Sequence, residues 1–278
     1  MQKKIKLLFL VIASCFVLTN SLGCSSLAKA QTPSEEEINA ESAKAYQEVK
    51  AKSKISTRKD WNDMVQRVAN RIAKASGENF QWEIVLIENE EPNAWCMPGG
   101  KMAVYTGIMP ILKTEGALAA VMGHEVAHAT RRHGQKGYAR AIEEQQTGAL
   151  IGVATAVGGQ LLCKTEQCRL LAGIGGAAAG VALTFFNRKF SREDETEADQ
   201  VGQIFMAKAG YDPAESIVLW ERMNAAKGGE APEWMSTHPS DANRRAKLTQ
   251  LLPQAQQVYQ QSARSEERRV GKECRSRW

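Results

Sequence analysis

Three of the chain's four histidines fall within ten positions, in VMGHEVAHATRRH at 121–133. On a helix, positions i and i+4 lie one above the other, so His124 and His128 can aim two imidazoles at one point. Glu125 stands beside the first, where it can take a proton from an attacking water without itself being a ligand. This is the HExxH zinc pattern, in which the glutamate is the general base of a hydrolytic reaction. One zinc ion per chain is the expected cofactor. Leu118, Val121 and Met122 supply the apolar residues that would hold such a helix against a core.

Catalytic zinc takes three protein ligands and leaves a fourth position to water, so one more ligand must come from elsewhere. The longer pattern HExxHxxGxxH does not supply it: position 131 is arginine, position 134 is glycine, and His133 falls one place early. A glutamate on a second helix, followed one turn later by an acid that fixes the tautomer of a ligand histidine, is the next arrangement. SREDETEADQVG at 191–202 offers Glu195 and Asp199 at that spacing, whereas Glu143, Glu144, Glu193 and Glu197 have no aspartate four residues on. The same run also reads as a solvated helix start, where acids suit the N-terminal dipole. The last histidine, His238, precedes Pro239 and lies six residues before Arg244. Three roles fit it: donor to an oxyanion, fourth ligand that displaces the water, or a residue at the start of a helix. His133 reads as a surface or core histidine, and Arg244 as a residue that secures the C-terminal helix.

Positioning these groups takes at least two helices and a surface to pack them on. A chain of 278 residues with 43% apolar content is long enough to bury one proper core. Residues 31–53 are polar and helix-prone, and Trp61, Val65, Val68 and Ile72 recur at helical spacing up to Gly77. FQWEIVLIE at 80–88 alternates like a strand. NAWCMPGGKMAVYTG at 93–107 reads as an edge segment, a Pro-Gly-Gly turn and a second strand, with helix from Leu112 onward. The fold class is α+β and mainly helical, with a small sheet preceding the HExxH helix. Further helices are expected over 190–209, 213–226 and 240–262, which sets the folded domain at 34–262. Within it, residues 147–186 turn Ala- and Gly-rich, and the small residues of GALIG and GAAAG predict a tightly packed helical hairpin. The uncharged stretch 170–186 also reaches the lower limit for a membrane span.

The net charge of +5 resides at the two ends: residues 1–23 carry three lysines and no acid, and 264–278 carry three more basic than acidic residues. What remains is close to neutral, which excludes a nucleic-acid-binding surface. The tail RSEERRVGKECRSRW has no periodicity and resembles translated vector sequence, so 263–278 is set apart from the fold. Residues 1–23 have the layout of a secretory signal: Lys3, Lys4 and Lys6, then an apolar run from Leu7 to Leu18, too short to cross a bilayer. Two cleavage sites fit. SLGC at 21–24 resembles a bacterial lipobox that would leave a lipid on Cys24 ahead of a linker at 24–33, and AKA at 28–30 suits ordinary signal peptidase. Export makes a disulfide between Cys163 and Cys168 the expected state of that pair, leaving Cys96 unpaired.

HEVAH, SREDETEAD and THPSDANR, in this order with NAWCMPGG upstream, resemble the M48 family of zinc peptidases from about residue 58 to 252. The resemblance implies a zincin-like fold, zinc held by His124, His128 and Glu195, Glu125 as base, and Asp199 as hydrogen-bond partner of a ligand. It also implies that Asn93, Ala94, Trp95 and Cys96 form an edge strand that pairs with an extended substrate through backbone hydrogen bonds. Family branches with several membrane spans are not matched by this chain's hydropathy, so the smaller exported branch fits better. The function expected is an exported zinc endopeptidase acting on misfolded or unassembled envelope proteins. It would sit on the periplasmic side of a bacterial envelope and reach the membrane through the Cys24 lipid or the 170–186 helix. A chaperone-like factor whose zinc site stays closed is the alternative.

Overall fold

The computed structural model describes residues 33–137, 190–225, 238 and 242–275. Two helices open it: α1 (Glu35–Lys52), started by a capping box between Ser34 and Glu37, and α2 (Lys59–Ser76), stopped by Gly77 in the left-handed conformation, φ 76°. Three short strands follow, β1 (Glu83–Ile87), β2 (Ala94–Met97) and β3 (Lys101–Tyr105). A helical turn at Met109–Leu112 then leads into α3 (Glu115–Thr130). The remaining helices are α4 (Arg192–Lys208), α5 (Glu215–Ala225) and α6 (Ala242–Arg275).

The sheet order is β1-β3-β2, with β1 parallel to β3 and β2 antiparallel to it. The β2–β3 turn has Pro98 and Gly99 at its centre, Gly99 at φ 76°, and Gly100 N–H bonded back to the Met97 carbonyl. That is the positive φ a type II turn demands of its third residue. Side chains alternate across the sheet: Ile84, Leu86, Ala94, Cys96, Met102 and Val104 join the main core with α2 and α3. Trp95, Met97, Ala103 and Tyr105 face the other way, onto Tyr46 and Val49 of α1. Both faces are covered, which is why all four residues of β2 are buried.

The α+β class, the two opening helices, the strands and the order of sheet before histidine helix are as the pattern predicts. The last helix differs: it runs to Arg275 rather than ending near 262. Gln, Arg and Glu dominate residues 254–269, and such residues sustain a helix by propensity alone, without an apolar stripe to announce it. Cys24, the 1–23 signal, the Cys163/Cys168 pair and the 147–186 hairpin lie outside the described residues.

Candidate metal centre

Thr114 caps α3 by accepting from Ala117 N–H, and every residue from Ala117 to Thr130 is buried. A helix apolar on all sides belongs inside a core, so its two histidines and Glu125 are held away from water. Across from it, Ser191 and Asp194 close a capping box that starts α4. The acidic run then divides by helical angle. Glu193 stays exposed and Asp194 caps, while Glu195 and Asp199, 2% and 7% exposed, turn inward toward α3. The solvated-start reading therefore holds for Glu193 and fails for Glu195 and Asp199.

The two helices touch backbone to backbone at Gly123 and Gly202. A Cβ on Gly123 would stand 2.7 Å from the Gly202 carbonyl oxygen, and one on Gly202 would stand 2.7 Å from the His124 amide nitrogen. Neither distance is one a carbon atom tolerates. This crossing, one residue from His124 and three from Asp199, fixes how close the two halves of the site come, and the sequence reading missed it. Gly202→Ala is expected to cost about 1–3 kcal/mol by overpacking and to weaken zinc binding together with it. Urea unfolding and chelator competition measure the two effects, and parent values in both would refute the role given to this contact.

Donor atoms of four residues converge. His124 Nε2 lies 3.0 Å from His128 Nε2, 3.1 Å from His238 Nδ1 and 3.5 Å from Glu195 Oε2. Glu195 Oε1 lies 3.4 Å from His128 Nε2 and 3.0 Å from His238 Nδ1. All four ligand atoms fall within 4.8 Å of one another. Tetrahedral zinc with bonds near 2.0–2.1 Å sets its ligand atoms about 3.3 Å apart, so the five separations of 3.0–3.5 Å fit the edges of such a site. One proton can bridge one pair of facing nitrogens; a cation at the centre satisfies them all. Glu195 Oε2 makes the same point, since it is buried without an aligned hydrogen-bond donor although Arg244 Nη1 stands 2.7 Å away.

The surroundings fix the orientation of each ring. His124 Nδ1 is 3.0 Å from Asp199 Oδ1, which leaves Nε2 to face the other ligands. Burial opposes a charge on His124, but Asp199 and Glu195 outweigh it and carry the imidazole up to about 9. A metal entering here would displace that proton. Burial, joined by the charges of His124 and His238 against the pull of Glu195, pushes His128 well below 6.5, so its ring is neutral and able to ligate. Burial also works against the Glu195 carboxylate, yet His238, His124 and His128 hold it far below the usual range. Arg244, 3% exposed, bonds Asp199 at 2.6 and 2.7 Å and lies over the Trp220 ring. It thus ties α6 to the site, as its sequence position suggested.

His238 stands at the fourth vertex. Its Nδ1 faces the ligand set, its Nε2 is 3.5 Å from Glu125 Oε1, and Phe190 stacks on it with ring centres 5.4 Å apart. Of its three expected roles, this placement is the one a fourth ligand would need. Asn93, Ala94, Trp95 and Cys96 lie at the edge of the sheet beside α3, and burial, aided by the Glu125 charge, raises the Cys96 thiol. None of the four is more than 6% exposed, so their side chains are not presented to a substrate. His133, read as a surface or core residue, is fully buried and sits 2.9 Å from His128.

Comparison with known proteins agrees with this geometry. The sequence pattern described as Peptidase family M48 matches residues 56–252. The chain is 38% identical over 198 residues to the mitochondrial metalloendopeptidase OMA1 of Schizosaccharomyces pombe, covering 69% of this chain and 53% of that protein. It is 31% identical over 185 residues to the human mitochondrial metalloendopeptidase OMA1, 64% of this chain and 34% of that one. With the β-barrel assembly-enhancing protease of Escherichia coli the identity is 29% over 194 residues, 69% of this chain and 39% of that one. The matched region thus spans about half the length of the S. pombe relative and less of the other two.

Proposed function

The chain belongs to the M48 peptidase family, and from that membership we propose that it is a zinc metalloendopeptidase cleaving misfolded or unassembled proteins of a bacterial cell envelope. The observation that carries the reading is the convergence of His124, His128 and Glu195 on one point, with Glu125 beside it. Zinc held by those residues would supply the Lewis acidity that polarises a peptide carbonyl and acidifies water. Glu125 takes a proton from the attacking water and passes it to the leaving amine nitrogen, so the bond is cleaved with no net change at the carboxylate. Asp199 keeps the His124 proton on Nδ1, and Arg244 keeps Asp199 charged. The backbone of β2 receives the substrate as an added strand.

The envelope assignment draws support from the signal-like start, which contains no arginine, unlike the Arg-rich amphipathic leaders of mitochondrial import. It draws support also from the bacterial relative named for β-barrel assembly. A lipid on Cys24 would hold the enzyme at the membrane surface. No helix among the described residues is long and apolar enough to cross a membrane.

His238 favours a closed resting state, since a side chain at the fourth vertex occupies the place a water would take. Hydrolysis of unfolded casein that stops on adding a chelator and returns with zinc tests the enzyme reading, whereas zinc-dependent binding without turnover would support the chaperone-like alternative. His238→Ala should keep zinc bound and raise casein cleavage by about tenfold, the equivalent of about 1.4 kcal/mol of closure removed. A rate at or below the parent's would count against closure by this residue.

A further inference from the structure

We propose that His133 and Glu197 form a relay that positions the ligand His128, an inference that rests on the zinc-peptidase reading. His128 turns Nε2 toward the other ligand atoms, so in the neutral ring that binds a metal its proton is on Nδ1. His133 Nδ1 is 2.9 Å from that atom. Two N–H groups cannot share the contact, so His133 Nδ1 accepts and its own proton lies on Nε2. That nitrogen donates to Glu197 Oε2 at 3.1 Å, with Asp194 Oδ1 3.7 Å away. The donors thus point outward in sequence from His128 to His133 to a carboxylate on α4. His124 is held in the same sense by Asp199 directly, and such partners fix the tautomer and ring angle of a ligand.

The backbone is arranged to bring this about. On an unbroken helix His133, five residues after His128, would point roughly 140° away from it. Arg132 breaks the helix at φ 58°, a region that residues with side chains populate sparsely. Its guanidinium holds it there through Glu78 at 2.8 Å and Glu35 at 3.1 Å. A residue needed only to fill space would require neither the turn nor a nitrogen aligned on a ligand.

The test measures zinc affinity of the full chain by chelator competition, alongside the side-chain nitrogen chemical shifts of His128. His133→Phe, which fills the space without an acceptor, should weaken zinc by about 10–100-fold. His133→Asn, whose amide oxygen stands near the place of Nδ1, should recover most of that loss. Glu197→Gln, at a partly exposed position, should weaken zinc by about threefold or more and shift the His128 nitrogen signals. Parent affinity in His133→Phe, or equal losses in Phe and Asn, would overturn the relay. If His133→Phe does not fold, parent affinity and unmoved signals in Glu197→Gln overturn it. A parent chain that binds no zinc, or binds it as well after His124→Ala, defeats the peptidase reading instead.

Discussion

Glu125→Gln is expected to leave zinc at parent occupancy while lowering cleavage of unfolded casein by about a thousandfold, the middle of the range for loss of a general base. The substitution is close to isosteric, and the position is 2% exposed, so shape and burial are kept. Glu125 is also not among the four converging residues, and its Oε1 lies 3.5 Å from His238 Nε2. What disappears is the ability to hold a proton between the attack on the carbonyl and the departure of the amine. Atomic absorption and a casein assay on the same preparation separate the two quantities. Parent-level cleavage by the variant would show that the proton is carried elsewhere.

His124→Ala should act on the metal itself, lowering zinc affinity by about a thousandfold or more, equivalent to about 4 kcal/mol, and abolishing cleavage. Three of the short ligand separations share His124 Nε2, which places it at the heart of the cluster. Asp199 keeps both of its bonds to Arg244 when the ring is removed, so no buried carboxylate is left without a charge partner. The fold should therefore persist, as circular dichroism would show, while dialysed protein retains less than about a tenth of the parent's zinc. Full zinc content after dialysis would place the metal at other residues.

What could be read from the sequence was local chemistry. His124 and His128, and likewise Glu195 and Asp199, are pairs one helical turn apart, so each pair declares its shared face by spacing alone. The strands were legible because β-branched alternation and a Pro-Gly-Gly turn have few other meanings. The role of His238 was open because it depends on where α6 begins relative to helices more than a hundred residues earlier. Gly123 and Gly202 escaped notice for the same reason: single glycines inside helices carry no signal until a second backbone lies against them. His133, read as a surface or core residue, is a core one; its approach to His128 carries no sequence signal, because helical spacing turns it away and only the left-handed residue at 132 returns it.

One zinc ion is expected to join His124, His128 and Glu195. Anomalous diffraction from crystals of the full chain, recorded on both sides of the zinc absorption edge, tests it most directly. The expected result is one strong peak within about 2.0–2.2 Å of the two Nε2 atoms and the Glu195 carboxylate. Zinc bound stoichiometrically at another place, with no peak among these residues, would contradict it.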